Sequence, residues 1–536
     1  MQMPAAPGES PHRSGEHEQQ LAAGALAQQV ALTVSSVTML VVLTVLARRM
    51  SLSEFGVYGL LISIPTYLLF AQGSVEAAGV RAIAQAQTQQ DQDRALTTAL
   101  SVYICFGIVA AALIVFGGFA LLSVFRIPPR LHADAQMGLL TLGIVNVAAW
   151  PAKAAQDALR GNRRFLESAA AEACAYLCFG VLIALALALS GPLWLLVALG
   201  GSIPLMVGAW SCLALLVVRL PLRPRASMLS LAYTRSFLSI SVYLLLGGLT
   251  DFVIYSLDRT ILGIYRPVST VGLYEGPVRV HNLLRQFQSA LMLTVMPAAA
   301  AYVGAGDHLR LRELLVRGTR YITLAVTPLA VTAMVLAGPI LHVWLGRRFD
   351  SAATAMTIFV SYWLFASGLG VGQTMMLAAG RMRILLAYAT VVAVLNLGIS
   401  LALTPSLGLE GVVIGTSVAY LLLVPASVYI VCRTFAVPIG RFLREGFTVA
   451  FAAGGVLAAF ELLAHAALPL ERAVTLLPTI AVGLLAYALG VYHTGLHPRE
   501  QMLVRGLVSA ARLRAGALPA TGRRLLASVS AGARPA

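Results

Sequence analysis

Two arginines, Arg279 and Arg285, stand inside a long apolar stretch at residues 268–303. At about 100° per residue, Glu275, Arg279, His281, Asn282, Arg285, Gln286, Gln288 and Ser289 fall on one half of a helix. Val280, Leu283, Leu284, Phe287, Ala290 and Leu291 fall on the other. A charged side chain at mid-bilayer costs about 2.5–3.5 kcal/mol even on insertion scales, so the polar half must face protein or a wet cavity. With a rise of about 1.5 Å per residue, and a hydrocarbon core starting near Thr270, Arg279 reaches the midplane and Arg285 lies beyond it. Guanidinium groups offer charge and a planar fork of donors, which suits a phosphate or diphosphate. Arg279, His281, Asn282, Arg285 and Gln286 are therefore candidates to line a cavity for an anionic cargo. The competing reading is that the arginines pair with acidic neighbours for packing.

Asp251, Tyr255 and Asp258 form an i, i+4, i+7 stripe on the preceding stretch. Asp258 falls at its outer end, with Arg259 and Arg266 as natural partners in a cap or ion pair. Asp251 lies deeper, level with Arg279, and the two are placed to pair in one conformation and separate in another. A carboxylate beside a cavity can hold a proton. Asp251 and Asp258 are thus candidates for ion coupling or gating, with H+ or Na+ left open. Gln29, Thr33 and Ser36 share a face of the first apolar stretch and offer hydrogen bonds to sugar hydroxyls or to neighbouring helices.

Other polar pairs read as local structure: Glu76 with Arg81, Lys153 with Asp157, and Glu461 with His465 near the outer surface. Pro151 should kink or end its helix, and Pro65, Pro297 and Pro328 sit where helices could bend. Cys105, Cys174, Cys178, Cys212 and Cys432 all fall in apolar stretches without ligand-type partners and read as small packing residues. The sequence offers no catalytic constellation, no metal site and no cofactor motif.

The elements that must hold these residues are set by composition. The 536-residue chain is 59% hydrophobic and 11% charged, with a mean hydropathy of +0.83, which excludes an ordinary soluble domain. A bilayer core needs about 20 apolar residues per helix. Such stretches fall at 21–47, 57–79, 95–123, 134–158, 165–189, 192–218, 236–258, 268–303, 318–345, 352–378, 384–405, 410–432, 446–467 and 473–493. The fold class is an all-α polytopic membrane protein of about 14 transmembrane helices. Residues 1–20 are polar and acidic and lack a signal-peptide pattern, so the first span is expected to be retained.

The net charge of +16 is distributed by topology and does not point to nucleic acid. Loops after even-numbered spans hold about twice the Lys and Arg of loops after odd-numbered ones, which places both termini in the cytoplasm. Clusters such as Arg219, Arg223 and Arg225, or Arg441 and Arg444, then set orientation and touch anionic lipid.

The two halves repeat. Ser53-Glu-Phe-Gly56-Val-Tyr58 returns as Ser269-Thr-Val-Gly272-Leu-Tyr274, and Gly161-Asn-Arg-Arg164 as Gly380-Arg-Met-Arg383. A duplicated bundle follows, with six-helix pseudo-symmetric lobes at 21–225 and 226–435 and a site between them. An extra helix pair at 436–493, a cytoplasmic segment at 1–20 and a basic cytoplasmic tail at 494–536 complete the expected organisation.

No phosphate-binding loop of the Gly-x-x-x-x-Gly-Lys-Ser/Thr type is present, and no inter-span segment is long enough for a catalytic domain. The chain instead resembles the bacterial polysaccharide-export flippases, within the superfamily that joins multidrug extruders with oligosaccharidyl-lipid transporters. The resemblance is carried by Leu52-Ser-Glu-Phe-Gly-Val-Tyr-Gly-Leu60, by Asp258-Arg-Thr-Ile-Leu-Gly-Ile-Tyr with Val271-Gly-Leu-Tyr274 and Pro297, and by Asn396-Leu-Gly-Ile-Ser with Gly408-Leu-Glu-Gly-Val-Val-Ile-Gly-Thr-Ser417. It covers about residues 20–435.

The resemblance implies a multi-pass protein of the bacterial inner membrane that is not an enzyme. It implies a two-lobed cavity opening alternately to each side, with an undecaprenyl-diphosphate-linked oligosaccharide as cargo for O-antigen, capsule or exopolysaccharide assembly. Membrane lipids, a polysaccharide polymerase and chain-length machinery would be its partners. The rivals are an ion-coupled multidrug extruder of the same fold, a peptidoglycan-precursor flippase, and a polymerase or ligase acting on the same lipids.

Overall fold

A computed structural model describes residues 11–495 and 500–502, with the side chains of 11–23, 25, 69, 70, 239–248, 250, 251 and 494 outside that set. The predicted basic tail lies almost wholly outside the described residues. Among the described residues the chain is helical, with one isolated bridge between Arg126 and Pro267 and no strand.

The first half holds α1 (Pro11–Arg49), α2 (Leu52–Thr66), α3 (Leu69–Gln85), α4 (Gln89–Ala112), α5 (Gly118–Val124), α6 (His132–Gly161), α7 (Phe165–Ala188), α8 (Leu193–Gly201) and α9 (Ile203–Val218). Then come α10 (Leu231–Ser256), α11 (Asp258–Tyr265), α12 (Val268–Gly304), α13 (His308–Val335), α14 (Ala337–Leu345), α15 (Ala353–Ser361), α16 (Trp363–Ala378), α17 (Met382–Leu407) and α18 (Leu409–Thr434). α19 (Ile439–Ala467) and α20 (Ala473–Gly490) close the order.

All fourteen predicted apolar stretches fall on helices. Ten helical stretches are long and apolar enough to cross a membrane among the described residues. Three bent pairs, α2/α3 at 43°, α8/α9 at 48° and α13/α14 at 77°, raise this to thirteen if each pair is one span. α10 covers the predicted seventh span, with most of its middle side chains outside the described set. The protein is a multi-pass membrane protein, with ten to thirteen spans counted among the described residues against the fourteen expected.

Local sequence explains several boundaries. Ser51 and Glu54 form a capping box that starts α2: the Ser51 amide donates to Glu54 Oε2 at 2.8 Å and Ser51 Oγ accepts from the Glu54 amide at 3.3 Å. α4 begins with the same device, built from Thr88 and Asp91. At Pro151 the outcome differs from the expected kink or end, because α6 runs unbroken through it. There α4 lies tight against α6, with Phe106 stacked on Trp150 at 6.0 Å and Gly107 in contact with the same turn. Packing on that side holds the helix despite the missing N–H.

α1 to α9 pack mainly among themselves, with α6 against α4, α8 and α9, and α7 against α1 and α9. α12 to α18 form a second group, and α19 and α20 lean on α13 from outside it. The groups meet where α2 lies on α12, where α3 lies on α10, and where α14 touches α1. One hydrophobic cluster runs through the α2–α12 contact, including Leu46, Phe55, Leu60, Val271, Tyr274, Leu341 and Phe349.

Candidate functional site

α12 changes surroundings along its length. Its first half is largely buried, from Val268 to His281, with Val268 and Gly272 against α2, Gly276 against α14 and His281 against α15. The repeated motifs meet there. A Cβ on Gly56 would sit 1.9 Å from the Val268 carbonyl oxygen, and one on Gly272 would sit 2.4 Å from that of Leu52. Only glycine allows backbones this close.

The same end is tied by polar bonds between α1 and the α14 region. Arg48 donates to the Val343 carbonyl at 2.7 Å, Trp344 Nε1 to Thr44 Oγ1 at 2.7 Å, and Arg348 to the Met50 carbonyl at 2.7 Å. This sealed end is the one the charge bias predicts to face outward.

Arg279 lies just beneath the seal. Glu275, one turn earlier, is buried and accepts from Arg259 Nε at 2.5 Å and Nη2 at 3.2 Å. Arg279 forms no ion pair among the described residues. Its Nε is buried and has no hydrogen-bond partner among them, and the groups within electrostatic reach are Glu275, Arg259 and two phenols, Tyr58 of α2 and Tyr176 of α7. Sequence reasoning missed both tyrosines, because their approach depends on how separate helices pack.

Arg285 is also unpaired among the described residues. Its guanidinium stacks over the Tyr255 ring at 4.7 Å from the centroid. His281 faces the interior of the second group instead of an open cavity. It is buried, lies parallel to Phe359 at 4.2 Å, and shares a 2.6 Å hydrogen bond with Tyr362. Gln288 donates to the carbonyls of Ser367 at 3.0 Å and Ala366 at 3.3 Å on α16.

Gln286 points the other way, across to α1. Its Oε1 accepts from Ser36 Oγ at 3.2 Å. By helical period Gln29, Thr33 and Ser36 share one side of α1, and Arg279, Asn282 and Gln286 one side of α12. The helices run antiparallel, so from the Ser36–Gln286 contact Asn282 and Arg279 lead toward the sealed end and Thr33 and Gln29 away from it. Gln29, Thr33 and Gln286 are exposed and Asn282 is half-buried. The stripes border a cleft with the sealed end as its roof and Arg279 beside the roof. The polar half of α12 is thus divided, with Arg279, Asn282 and Gln286 toward the cleft and His281, Arg285 and Gln288 toward the interior of the second group.

The acidic candidates separate likewise. The Asp251 side chain lies outside the described residues. Asp258 opens α11, is buried, and accepts from the Tyr274 hydroxyl at 2.7 Å, while its Oδ1 has no partner among the described residues. The expected partners are otherwise engaged. Arg259 holds Glu275, and Arg266 donates to the carbonyls of Thr404, Pro405 and Ser406 at the end of α17. Neighbours in sequence point in different directions on a helix, so Arg259 cannot share the Asp258 face.

The first group carries a polar network that the sequence pairs did not anticipate. Glu76 on α3 takes Lys153 at 3.1 Å and also Arg160, both on α6. Arg160 reaches Glu172 on α7 at 3.4 Å, and Gln28 on α1 donates to the same carboxylate at 3.2 Å. Asp157 is buried and accepts from the Tyr103 hydroxyl at 2.7 Å, so its bond is to α4 and not to Lys153. Arg81 is exposed and holds no carboxylate among the described residues. Glu461 is fully buried, with Thr332 donating to it at 2.5 Å. Among the described residues no group of His, Cys, Asp or Glu is arranged to hold a metal.

Comparison with known proteins agrees with this architecture. The sequence model of a family described as polysaccharide biosynthesis protein matches residues 45–354. A probable low-salt glycan biosynthesis flippase of Haloferax volcanii is 24% identical over 188 residues, which are 35% of this chain and 39% of that protein. The chain thus spans about two-fifths of that relative's length. Among solved structures, the lipid II flippase MurJ in an inward closed conformation is similar with a TM-score of 0.68 and 15% identity, covering 90% of this chain and all of that one. An inward-facing multidrug resistance MATE transporter of the MOP superfamily gives 0.66 at 12% identity, covering 76% of this chain and 98% of its own. At these identities the solved structures establish a shared fold.

Proposed function

Because the chain belongs to the polysaccharide biosynthesis protein family, we propose that it is a flippase of the bacterial inner membrane. Its cargo is an undecaprenyl-diphosphate-linked oligosaccharide, moved from the inner to the outer leaflet by alternating access for O-antigen, capsule or exopolysaccharide assembly. The observation that carries this reading is the pair of arginines without an ion pair among the described residues on one membrane helix, Arg279 at the roof of the polar cleft and Arg285 six residues on, facing the interior of the second group. Keeping such charges without carboxylates is costly unless an anion visits them. The Tyr58 and Tyr176 phenols near Arg279 add donors without cancelling its charge. A few arginines in a wet cleft hold a diphosphate reversibly, as transport requires.

With the α2–α12 end closed, cargo enters from the cytoplasmic side, and outward opening parts the Gly56–Gly272 contact and the Arg48 and Trp344 bonds. Asp251 and Asp258 are the candidates for H+ or Na+ coupling, the second of which keeps one buried oxygen without a partner among the described residues. Membrane lipids surround the chain, and its product would pass to a polysaccharide polymerase and its chain-length machinery.

The test is leaflet exchange in liposomes holding a fluorescent undecaprenyl-diphosphate oligosaccharide, read with an impermeant quencher. Exchange by the wild type and its loss in Arg279→Ala/Arg285→Ala support the reading. Uptake of a cationic dye without lipid exchange would favour a multidrug extruder. Exchange confined to the peptidoglycan precursor would favour that cargo.

A further inference from the structure

The second helix group holds a cavity of its own, about 370 Å³, within the size range of small-ligand sites. Five aromatic side chains line it: Tyr255 of α10, Tyr362 and Trp363 at the α15–α16 junction, Tyr388 of α17 and Tyr420 of α18. Tyr362 stacks on Tyr420 at 4.6 Å and on Trp363 at 5.3 Å. The Tyr255 and Tyr420 hydroxyls bond each other at 2.5 Å, and that of Tyr362 bonds His281. These bonds and stacking contacts hold Tyr255, Tyr362, Trp363 and Tyr420 in place along the wall.

Polar groups complete the lining. Gln288 anchors its amide nitrogen on α16 and leaves its carbonyl oxygen for a ligand. Gln373 and Thr374 line the cavity half-buried, with no side-chain bond to any described residue. No charged side chain lines it among the described residues. Arg285 stands over Tyr255 at its mid-membrane end, while Leu377 and Leu385 border the opposite end.

We infer that this cavity binds the sugar rings nearest the diphosphate, as neutral hexopyranose units. Pyranose rings place C–H faces on aromatic planes and hydroxyls on amides, which is the mixture found here. An organic cation would also favour aromatic faces, but Arg285 over Tyr255 repels it. The order of groups matches the cargo, with a cation for phosphate at one end and rings beyond it. The inference rests on the flippase reading and adds to it a glycan subsite in the second helix group.

The experiment measures binding of two radiolabelled probes to the purified full chain in nanodiscs. One is bare undecaprenyl diphosphate, and the other is the same lipid carrying a neutral tetrasaccharide of glucose and galactose. The wild type should bind the second about tenfold more tightly, the size of a typical aromatic contact. Tyr388→Ala and Gln373→Ala should each reduce that preference while leaving the bare lipid unchanged, and Tyr388→Phe should keep it. Gln373→Ala alters a half-buried side chain without bonds to described residues, so it serves even if Tyr388→Ala does not fold. Equal wild-type affinity for the two probes, or a preference that survives both variants, overturns the sugar subsite and leaves the flippase reading standing. Binding of neither probe by folded wild type overturns both.

Discussion

Arg279 sits one helical turn from Glu275, yet Glu275 gives both carboxylate oxygens to Arg259, at 2.5 and 3.2 Å. The acid nearest to Arg279 in sequence is therefore consumed by another cation. If the unmatched charge serves a diphosphate, Arg279→Ala should weaken binding of undecaprenyl diphosphate about 10- to 100-fold, as expected for a charged hydrogen bond of about 1.5–3 kcal/mol. Arg279→Lys should recover part of the loss, because charge remains but the fork is gone. Unchanged binding in the alanine variant would return Arg279 to a packing role.

The Gly56–Gly272 contact allows a direct test of the seal. Alanine at either position pushes a methyl against backbone, since a Cβ would lie 1.9 Å from a carbonyl oxygen at Gly56 and 2.4 Å from one at Gly272. Overpacking of this kind costs about 1–3 kcal/mol, charged here to the closed state. Gly56→Ala should raise outside labelling of a cysteine placed at Tyr58, in a background free of native cysteines, by about fivefold or more. Labelling no faster than in the glycine parent would mean that the two motifs do not form a gate.

Ser36 and Gln286 touch across the cleft at 3.2 Å. Joining Ser36→Cys to Gln286→Cys with a short bifunctional thiol reagent should arrest leaflet exchange, and cleavage of a reducible linker should restore it. Continued exchange in fully cross-linked protein would show that α1 and α12 move together.

Arg160 links three helices through Glu76 and Glu172. Arg160→Ala leaves Glu76 with Lys153 alone and Glu172 without an ion pair among the described residues, and should cost about 3 kcal/mol. Thermal melting in detergent should drop clearly, with Arg160→Lys intermediate. A melting temperature equal to that of the wild type would place the network among dispensable polar contacts.

The proposed ion coupling has two candidate acids, Asp251 and Asp258. Asp251→Asn should remove any dependence of exchange on a pH gradient, whereas Asp258→Asn keeps an acceptor for Tyr274 and should alter folding little. Gradient dependence that persists in Asp251→Asn would exclude that residue as the coupling group.

Helical spans were readable because each is a local run of apolar residues, and all fourteen stretches fall on helices. The half-polar character of α12 was equally local. Its division between two surroundings was not, since Gln286 and Gln288 differ only in which neighbouring helix lies opposite. Pairings failed where i, i+4 spacing was taken as contact. Lys153 and Asp157 found better partners in Glu76 and Tyr103, on helices far away in sequence. The aromatic cavity left no trace at all, because Tyr255, Tyr362, Tyr388 and Tyr420 come from different helices.

The repeated motif also carries a history. Each half contains six predicted spans, an even number, so the two halves enter the bilayer in the same direction. Gly56 lies against the second copy of its own motif and Gly272 against the first, the self-complementary pattern of a twofold dimer. A chain of half this length could have closed against an identical partner around an axis normal to the membrane. Once fused, the two copies were free to diverge. Tyr274 now satisfies Asp258, while Tyr58, its counterpart, stands beside Arg279. On this view the gate is older than the asymmetric cargo site beneath it.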